Sequence, residues 1–134
     1  METVEVFVDK ELNISVFRFR GLLAYKDIHH HMSQYHKDYP TKYAIWDFSE
    51  TDPSKLEISE IKKLAQYAVA AKDIRKGGAA ALVVPKPFQY GLARMFLAYA
   101  EITHKHEHAL KIMVFRSEQD AFSWIRSLEA KKAG

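Results

Sequence analysis

Strand-like and helix-like segments alternate along this chain, and this alternation constrains its fold more than any other feature. Residues 4–8 and 14–20 alternate apolar and polar side chains with a period of two, which predicts two half-buried strands. The connection between them, residues 9–13, is short enough for a hairpin. We therefore predict that the first two strands pair antiparallel.

Three further strands and four helices are predicted in the rest of the chain. The strands cover residues 43–48, 79–84 and 109–115, and the middle one is an unbroken apolar run, as in a strand buried on both faces. The helices carry apolar residues at helical spacing, namely Ile28 and Met32, Ile61 and Leu64, Leu92 and Phe96, and Ala121 and Ile125. The order β-β-α-β-α-β-α-β-α predicts an α/β fold with a mostly parallel sheet, and residues 1–134 are expected to form a single domain.

The composition excludes several kinds of site. No cysteine is present, so disulfides, thiolate metal sites and cysteine nucleophiles are ruled out. No apolar run approaches the ~20 residues that span a bilayer, and the acidic start of the chain does not resemble a signal peptide, so we expect a cytoplasmic protein without a membrane span. Basic residues cluster at helix ends, as at Lys72, Arg75 and Lys76, where they complement the helix dipole; we therefore expect no nucleic-acid binding.

Three stretches of the sequence carry a resemblance to a known family. Residues 46–49 read Trp-Asp-Phe-Ser, residues 90–96 read Tyr-Gly-Leu-Ala-Arg-Met-Phe, and residues 114–117 read Val-Phe-Arg-Ser, followed by Ala121 and Trp124. In these motifs, and over most of its length, the chain resembles the SpoIIAA-like branch of the STAS superfamily. The resemblance implies a STAS-like or CRAL-TRIO-like sheet, with strands roughly in sequence order and helices packed beside it.

The resemblance also implies a kind of function. Better-known STAS proteins are phosphorylation-switched antagonists of anti-sigma factors, or regulatory domains that bind proteins or small ligands. Their phosphorylated serine stands near the start of the helix after a central strand, in an Asp-Ser-Ser-Gly-like turn. This sequence lacks that turn, and its serines there are spread along a longer acidic segment. The candidate phosphorylation sites are Ser49, Ser54 and Ser59.

The first candidate binding site is the predicted loop that follows the third strand. It contains the polar residues Asp47, Ser49, Glu50 and Asp52. Ligands of parallel sheets tend to bind beyond the carboxyl ends of strands, and carboxylates suit a hard cation or a basic partner. The alternative is structural, since such residues also form turns and helix starts, and either Ser54 with Glu57 or Ser59 can cap the next helix.

The second candidate site is the start of the third helix, at Tyr90, Gly91 and Arg94. Gly91 leaves room for the close approach of a ligand or of backbone, and an arginine one turn further on can hold a phosphate or carboxylate with two hydrogen bonds. The alternative is again structural. In that interpretation Gly91 packs the helix on the sheet, and Arg94 pairs with an acidic neighbour such as Asp47.

Histidines are the third and weakest candidate. His104, His106 and His108 share one face if their segment is extended, which makes them the best available metal ligands. Histidines that flank an apolar stripe are usually solvated, however. We therefore expect no metal and no cofactor.

No familiar catalytic motif is present, whether Gly-x-Ser-x-Gly, His-Glu-x-x-His or a phosphate loop, so we predict that the chain is not an enzyme.

The leading hypothesis is a regulatory or protein-interaction module that binds a protein partner through the loop after Asp47 and the helix bearing Arg94. The alternative is a small apolar or acyl ligand in a pocket lined by aromatic side chains. Those aromatic residues are Tyr25, Tyr35, Tyr39, Phe88, Tyr90 and Phe96. A metal-assisted enzyme and a homodimer are further hypotheses.

Overall fold

The structure is a computed structural model that describes residues 3–38, 40–70, 78–103 and 111–133. Within these ranges the chain forms the predicted elements in the predicted order. The strands are β1 (Thr3–Asp9), β2 (Ile14–Leu22), β3 (Tyr43–Asp52), β4 (Ala79–Val83) and β5 (Lys111–Phe115). The helices are α1 (Tyr25–Asp38), α2 (Ile58–Ala70), α3 (Pro87–Thr103) and α4 (Glu118–Ala133). None of these described helices is both long and apolar enough to cross a membrane.

The strands form one sheet in the order β1-β2-β3-β4-β5. β1 runs antiparallel to β2, and every other neighbouring pair is parallel. In the hairpin turn the backbone N–H of Leu12 donates to the Asp9 carboxylate (3.0 Å), and Asn13 adopts a left-handed conformation that asparagine tolerates. The predicted α/β class, the antiparallel first pair, the mostly parallel sheet and the strands in sequence order are confirmed.

Alternating side chains give the sheet two faces, each with its own core. α1, α2 and α3 cover one face, and the core there includes Phe17, Trp46, Leu64, Leu82 and Ala93. α4 covers the other face, and the core there includes Ile14, Val16, Ile45, Ala81 and Ile125. Because successive strand residues point to opposite faces, the central strands β2, β3 and β4 each contribute to both cores.

β3 is longer than predicted, since the segment 49–52, expected as a loop, continues the strand. The paired positions advance from Arg18 to Arg20 on β2 but from Asp47 to Glu50 on β3. This β-bulge absorbs one extra residue of β3 and lets the pairing with β2 continue. Its polar residues are typical of turns, and the hydrogen bonds to the neighbouring strand override that local preference.

The cap of α2 also differs from the prediction. α2 begins at Ile58, and the backbone N–H of Glu57 donates to the Glu60 carboxylate (3.0 Å). This contact is half of a capping box with Glu57 in the cap position, so neither Ser54 nor Ser59 caps the helix. The sequence favours the serines because a hydroxyl is one of the preferred helix caps, whereas here the acidic side chain of the first turn satisfies the backbone.

Candidate functional site

An apolar cavity of about 110 Å³ lies between the sheet and the helices α1, α2 and α3. The sheet contributes Trp46, Ala80 and Leu82 to its wall. The helices contribute Ile28 and Met32 from α1, Ile61, Leu64 and Ala68 from α2, and Leu92, Ala93 and Phe96 from α3. Many of these residues belong to the buried core of that face, so the space reaches into the interior of the layer.

Small side chains keep this space open. Ala68, Ala80 and Ala93 line the cavity from three different elements, and they are 7%, 4% and 7% exposed. Protein interiors are ordinarily close-packed, and a leucine at any one of these positions would add three carbon atoms to the wall. The three alanines are therefore the positions where the sequence leaves the volume unfilled.

Five lining side chains carry a nitrogen or oxygen atom, and they are Tyr35, His36, Trp46, Thr51 and Gln89. The Tyr35 hydroxyl donates to the backbone carbonyl of Thr41. The Thr51 hydroxyl donates to the carbonyl of Phe48 at 2.6 Å. Both hydroxyl hydrogens are thus donated to the protein's own backbone.

Gln89 fixes the start of α3 to the bulge of β3. Its side chain is buried, with 4% exposed, and its amide nitrogen lies 2.9, 3.3 and 3.1 Å from the carbonyl oxygens of Phe48, Ser49 and Thr51. Its amide oxygen accepts the backbone N–H of Lys86 at 3.2 Å. One carboxamide therefore satisfies the irregular backbone of the bulge and forms part of the cavity wall.

A row of aromatic ring contacts joins α1 to α2. His29 of α1 stacks with Tyr25 at 5.7 Å between ring centroids and lies 4.6 Å from Tyr67 of α2. His36, which lines the cavity, lies 6.0 Å from the same Tyr67 ring. These ring contacts join α1 to α2 beside the cavity.

Asp47, the first predicted site residue, lies on the opposite face of the sheet, beneath α4. It is nearly buried, accepts the backbone N–H of Ser49 at 2.9 Å and shares a hydrogen bond with Glu118 of α4. Arg18 of β2 donates two hydrogen bonds to the Glu118 carboxylate, at 2.8 and 2.9 Å, and lies 3.4 Å from Glu5. This cluster ties the start of α4 to β1, β2 and β3.

The two central carboxyl groups of the cluster are shifted in opposite directions. Burial, reinforced by the hydrogen bond with Glu118, raises the pKa of Asp47 to about 6. Hydrogen bonds from Arg18 hold the pKa of Glu118 below its usual value. Near pH 5 the pair therefore keeps a proton on Asp47, which makes the cluster a pH-sensitive contact between α4 and the sheet.

The other residues of the first candidate segment do not gather into one site. Glu50 and Asp52 are exposed, and Ser49 is half-buried. The backbone N–H of Ser54 donates to the Asp52 carboxylate at 3.0 Å and lowers the pKa of that group. Asp52 thus shapes the turn that leads to α2, while phosphorylation of Ser49, Ser54 or Ser59 stays a prediction.

The second candidate site lies on the exposed side of α3. The Arg94 guanidinium is 6.0 Å from the ring of Tyr90, which is 43% exposed. A Cβ built on Gly91 meets no described atom within 4 Å, so Gly91 does not pack the helix on the sheet. Asp47 lies on the far face of the sheet, so the predicted pairing of Arg94 with Asp47 is also wrong.

Metal ligands do not converge in the part of the chain that the structure describes. Within it, no group of three or more histidine, aspartate and glutamate side chains is placed to hold a metal ion. The predicted candidates His104, His106 and His108 lie outside the described residues. On α1, histidines contact aromatic rings instead, as His31 does with Phe19 at 5.6 Å.

The cavity was not located by reasoning from the sequence, although most of its lining was predicted as core. Of the aromatic residues expected around a pocket, Tyr35 and Phe96 line the cavity, whereas Phe88 and Tyr90 are exposed and Tyr39 lies outside the described residues. The available signal was the alanine content of β4 and of the helices that face it. Alanine in a buried strand predicts burial, but the sequence does not state how far away the facing helix lies.

Comparison with known proteins adds little to this geometry. No family model matches the chain, and no curated protein matches it. Among solved structures, the chain is similar to the STAS domain of an anti-sigma-factor antagonist from Rhodobacter sphaeroides, with 9% sequence identity, 87% of each chain covered and a TM-score of 0.34. Function therefore has to be inferred from the chain's own residues.

Proposed function

We propose that this protein binds a small apolar molecule in the cavity between the sheet and helices α1, α2 and α3. The observation that carries the proposal is the cavity itself, with about 110 Å³ of space behind walls formed mainly by aliphatic and aromatic side chains. Such a space with a few polar groups is the usual form of a small-ligand site. The protein-interaction surface first expected from Asp47 and Arg94 is less well supported, because those residues lie on opposite faces of the sheet.

The size of the cavity limits the ligand. A core cavity of ~150 Å³ binds one benzene molecule. At about 110 Å³, this cavity therefore accommodates a small molecule, or part of a larger one, with roughly four to six non-hydrogen atoms. A short alkyl segment, or at the upper end a single unsubstituted ring, meets this limit.

An empty cavity lowers the stability of the fold, which also supports a ligand. Apolar side chains that border unfilled space lack packing partners there, which lowers the stability of the fold. A bound apolar molecule offsets that loss, because it restores contacts with the lining side chains. Native mass spectrometry of the protein purified from its host is expected to detect a retained apolar molecule.

A direct test uses the fluorescence of Trp46, which lines the cavity. The chain has two tryptophans, so a Trp124→Phe variant leaves Trp46 as the sole reporter. We expect 1-octanol to change the emission of that variant in a saturable way. Ala93→Leu, introduced into the same background, is expected to abolish the change, because its three added carbon atoms occupy most of the space available to a ligand.

The matched control is Ala98→Leu, on the same helix but exposed. It adds the same atoms outside the cavity and is expected to leave octanol binding intact. Ala68→Leu serves as a second filling variant in case Ala93→Leu is poorly folded by circular dichroism. Octanol titrations without saturation in the Trp124→Phe protein would contradict the proposal. Octanol binding by both filling variants as tight as that of the Trp124→Phe protein would contradict it as well.

A second candidate function is a contact with another protein through the start of α3. Phe88 and Tyr90 are 58% and 43% exposed there, beside the exposed Arg94. Exposed aromatic residues next to an arginine are typical of the centre of a protein interface. This candidate keeps the second predicted site, at Tyr90 and Arg94, and does not depend on Asp47.

The test of this candidate compares two surfaces of similar exposure. A Phe88→Ser and Tyr90→Ser double variant should lose a partner that the unchanged protein retains in quantitative cross-linking. Phe7→Ser, at a residue of β1 that is 51% exposed, should retain that partner. Equal loss or equal retention of the partner by the two variants would remove the support for this surface.

The homodimer stays a prediction, and a measurement of the molar mass of the protein in solution tests it.

A further inference from the structure

We propose that the ligand of the cavity is electrically neutral, an alcohol or hydrocarbon in class, and not the carboxylate of a fatty acid. This inference rests on the proposed binding function and narrows it to one chemical class. It follows from which polar groups line the cavity and from where their hydrogens already point.

The first argument is the absence of a cation. Among the residues that the structure describes, no lysine, arginine, aspartate or glutamate lines the cavity. An ionised group in an apolar space needs a partner of opposite charge or several hydrogen-bond donors, because burial removes its hydration. A carboxylate in this cavity therefore meets no lysine or arginine side chain from the described part of the chain.

The second argument is the state of the donors in the wall. The Tyr35 and Thr51 hydroxyls and the Gln89 amide already donate to backbone carbonyls. A buried carboxylate needs several hydrogen-bond donors, and the hydrogens of these three side chains are engaged with the backbone. The wall is therefore better suited to a neutral ligand than to a carboxylate.

Two lining residues, His36 and Trp46, carry ring N–H groups and need separate controls. A neutral N–H gives one hydrogen bond and does not balance a full negative charge. An imidazolium does carry a balancing charge, and imidazole is the side chain that commonly titrates near neutral pH. The comparison of ligands is therefore made at pH 8 and repeated with a His36→Phe variant.

The experiment compares two probes that share one carbon skeleton, 1-octanol and octanoate. Both are titrated at pH 8 into the Trp124→Phe protein, with Trp46 emission and the shift of the melting temperature as readouts. We expect octanol to bind and octanoate to bind at least about 100-fold more weakly, because its charge stays unpaired in the cavity. His36→Phe is expected to leave octanol binding within about threefold, since its imidazole is not needed for a neutral ligand.

The outcomes separate this inference from the binding function itself. Octanoate binding as tight as octanol binding would overturn the inference but leave the binding function standing. If that octanoate binding is lost in His36→Phe, the group that pairs with the carboxylate is the imidazolium of His36. Failure of both probes to bind, in a protein that retains no molecule from its host, would overturn the binding function and the inference together. An apolar molecule without a carboxylate in native mass spectrometry would support both.

Discussion

The carboxamide of Gln89 holds α3 against the bulge of β3 through the carbonyls of Phe48, Ser49 and Thr51. Gln89→Leu keeps a similar volume but leaves buried carbonyls without their donor. Buried polar groups without partners cost about 1–3 kcal/mol each, only part of which is recovered by relaxation. We expect the free energy of unfolding to fall by about 2–3 kcal/mol, measured by urea denaturation.

The control for this prediction is Gln66→Leu, at an exposed position of α2. A surface substitution away from any network changes the free energy of unfolding by no more than about 0.5 kcal/mol. A Gln89→Leu protein as stable as Gln66→Leu would show that the bulge obtains its hydrogen bonds elsewhere.

Asp47 is expected to make the stability depend on pH. Its pKa in the folded protein is raised to about 6, above the ordinary value of 3.8, so the folded state holds its proton more tightly. That contribution is complete below pH 3.8 and is lost as the pH rises through about 6. In the Asp47→Asn variant the side chain at this position is neutral at every pH and keeps an oxygen that can accept the Ser49 N–H. The free energy of unfolding of the variant should therefore fall less between pH 5 and pH 7.5 than that of the unchanged protein.

Asp52→Asn is the matched control for the pH series. The pKa of Asp52 is lowered by its hydrogen bond from Ser54, so this group is ionised throughout the range from pH 5 to pH 7.5. Its substitution should therefore leave the slope of stability against pH unchanged. A slope for Asp47→Asn identical to that of the unchanged protein, in urea melts at each pH, would show that Asp47 titrates outside this window.

At the scale of elements, the start of α2 depends on an acidic cap. The Glu60 carboxylate accepts the backbone N–H of Glu57, and no other element of the fold is needed for this contact. Glu60→Ala is expected to lower the free energy of unfolding by about 0.5–1 kcal/mol. Ser54→Ala and Ser59→Ala are expected to change it by less than about 0.5 kcal/mol, and a larger effect of either serine would restore the cap predicted from the sequence.

The elements themselves were largely predictable. Their order and the first hairpin follow from local patterns, because a period of two or of 3.6 residues in the apolar positions reflects which face of each element is buried. The end of β3 was not predictable in this way. Residues 49–52 are polar and look like a turn, and only pairing with β2 across the bulge makes them a strand.

At the scale of the whole molecule, the two faces of the sheet differ in how tightly they are packed. Ala121 of α4 is fully buried against the sheet, whereas Ala93 of α3 borders the cavity. Ala121→Leu is expected to lower the free energy of unfolding by about 1–3 kcal/mol through overpacking. Ala93→Leu should leave it unchanged or raise it, because the added atoms enter existing space.

Urea denaturation of both variants in protein freed of bound ligand measures this contrast. The same substitution is made on both sides of one sheet, so differences in helix propensity between alanine and leucine affect both variants alike. Equal destabilisation by the two variants would show that the helical layer closes over the cavity when it is empty.

The candidate site was predicted less well than the fold. The structural alternative for Arg94 paired it with Asp47, but the alternation of side chains places Asp47 under α4, while α3 covers the other face. Asp47 lies in a cluster in which Arg18 donates to the Glu118 carboxylate, and these two residues are 100 positions apart in the chain. No local pattern relates two such residues, so their contact could not be predicted from spacing.

The sequence by itself determined the α/β class, the number and order of the elements and which side of each element is buried, because these depend on the periodicity of apolar residues within single segments. Only the tertiary structure decided the bulge of β3, the contacts of Gln89 and Asp47, and the cavity. These features depend on the distances between elements, and an alanine such as Ala80 encodes burial without encoding what lies across from it. The space that remains after the helices pack on the sheet is a property of all the walls together.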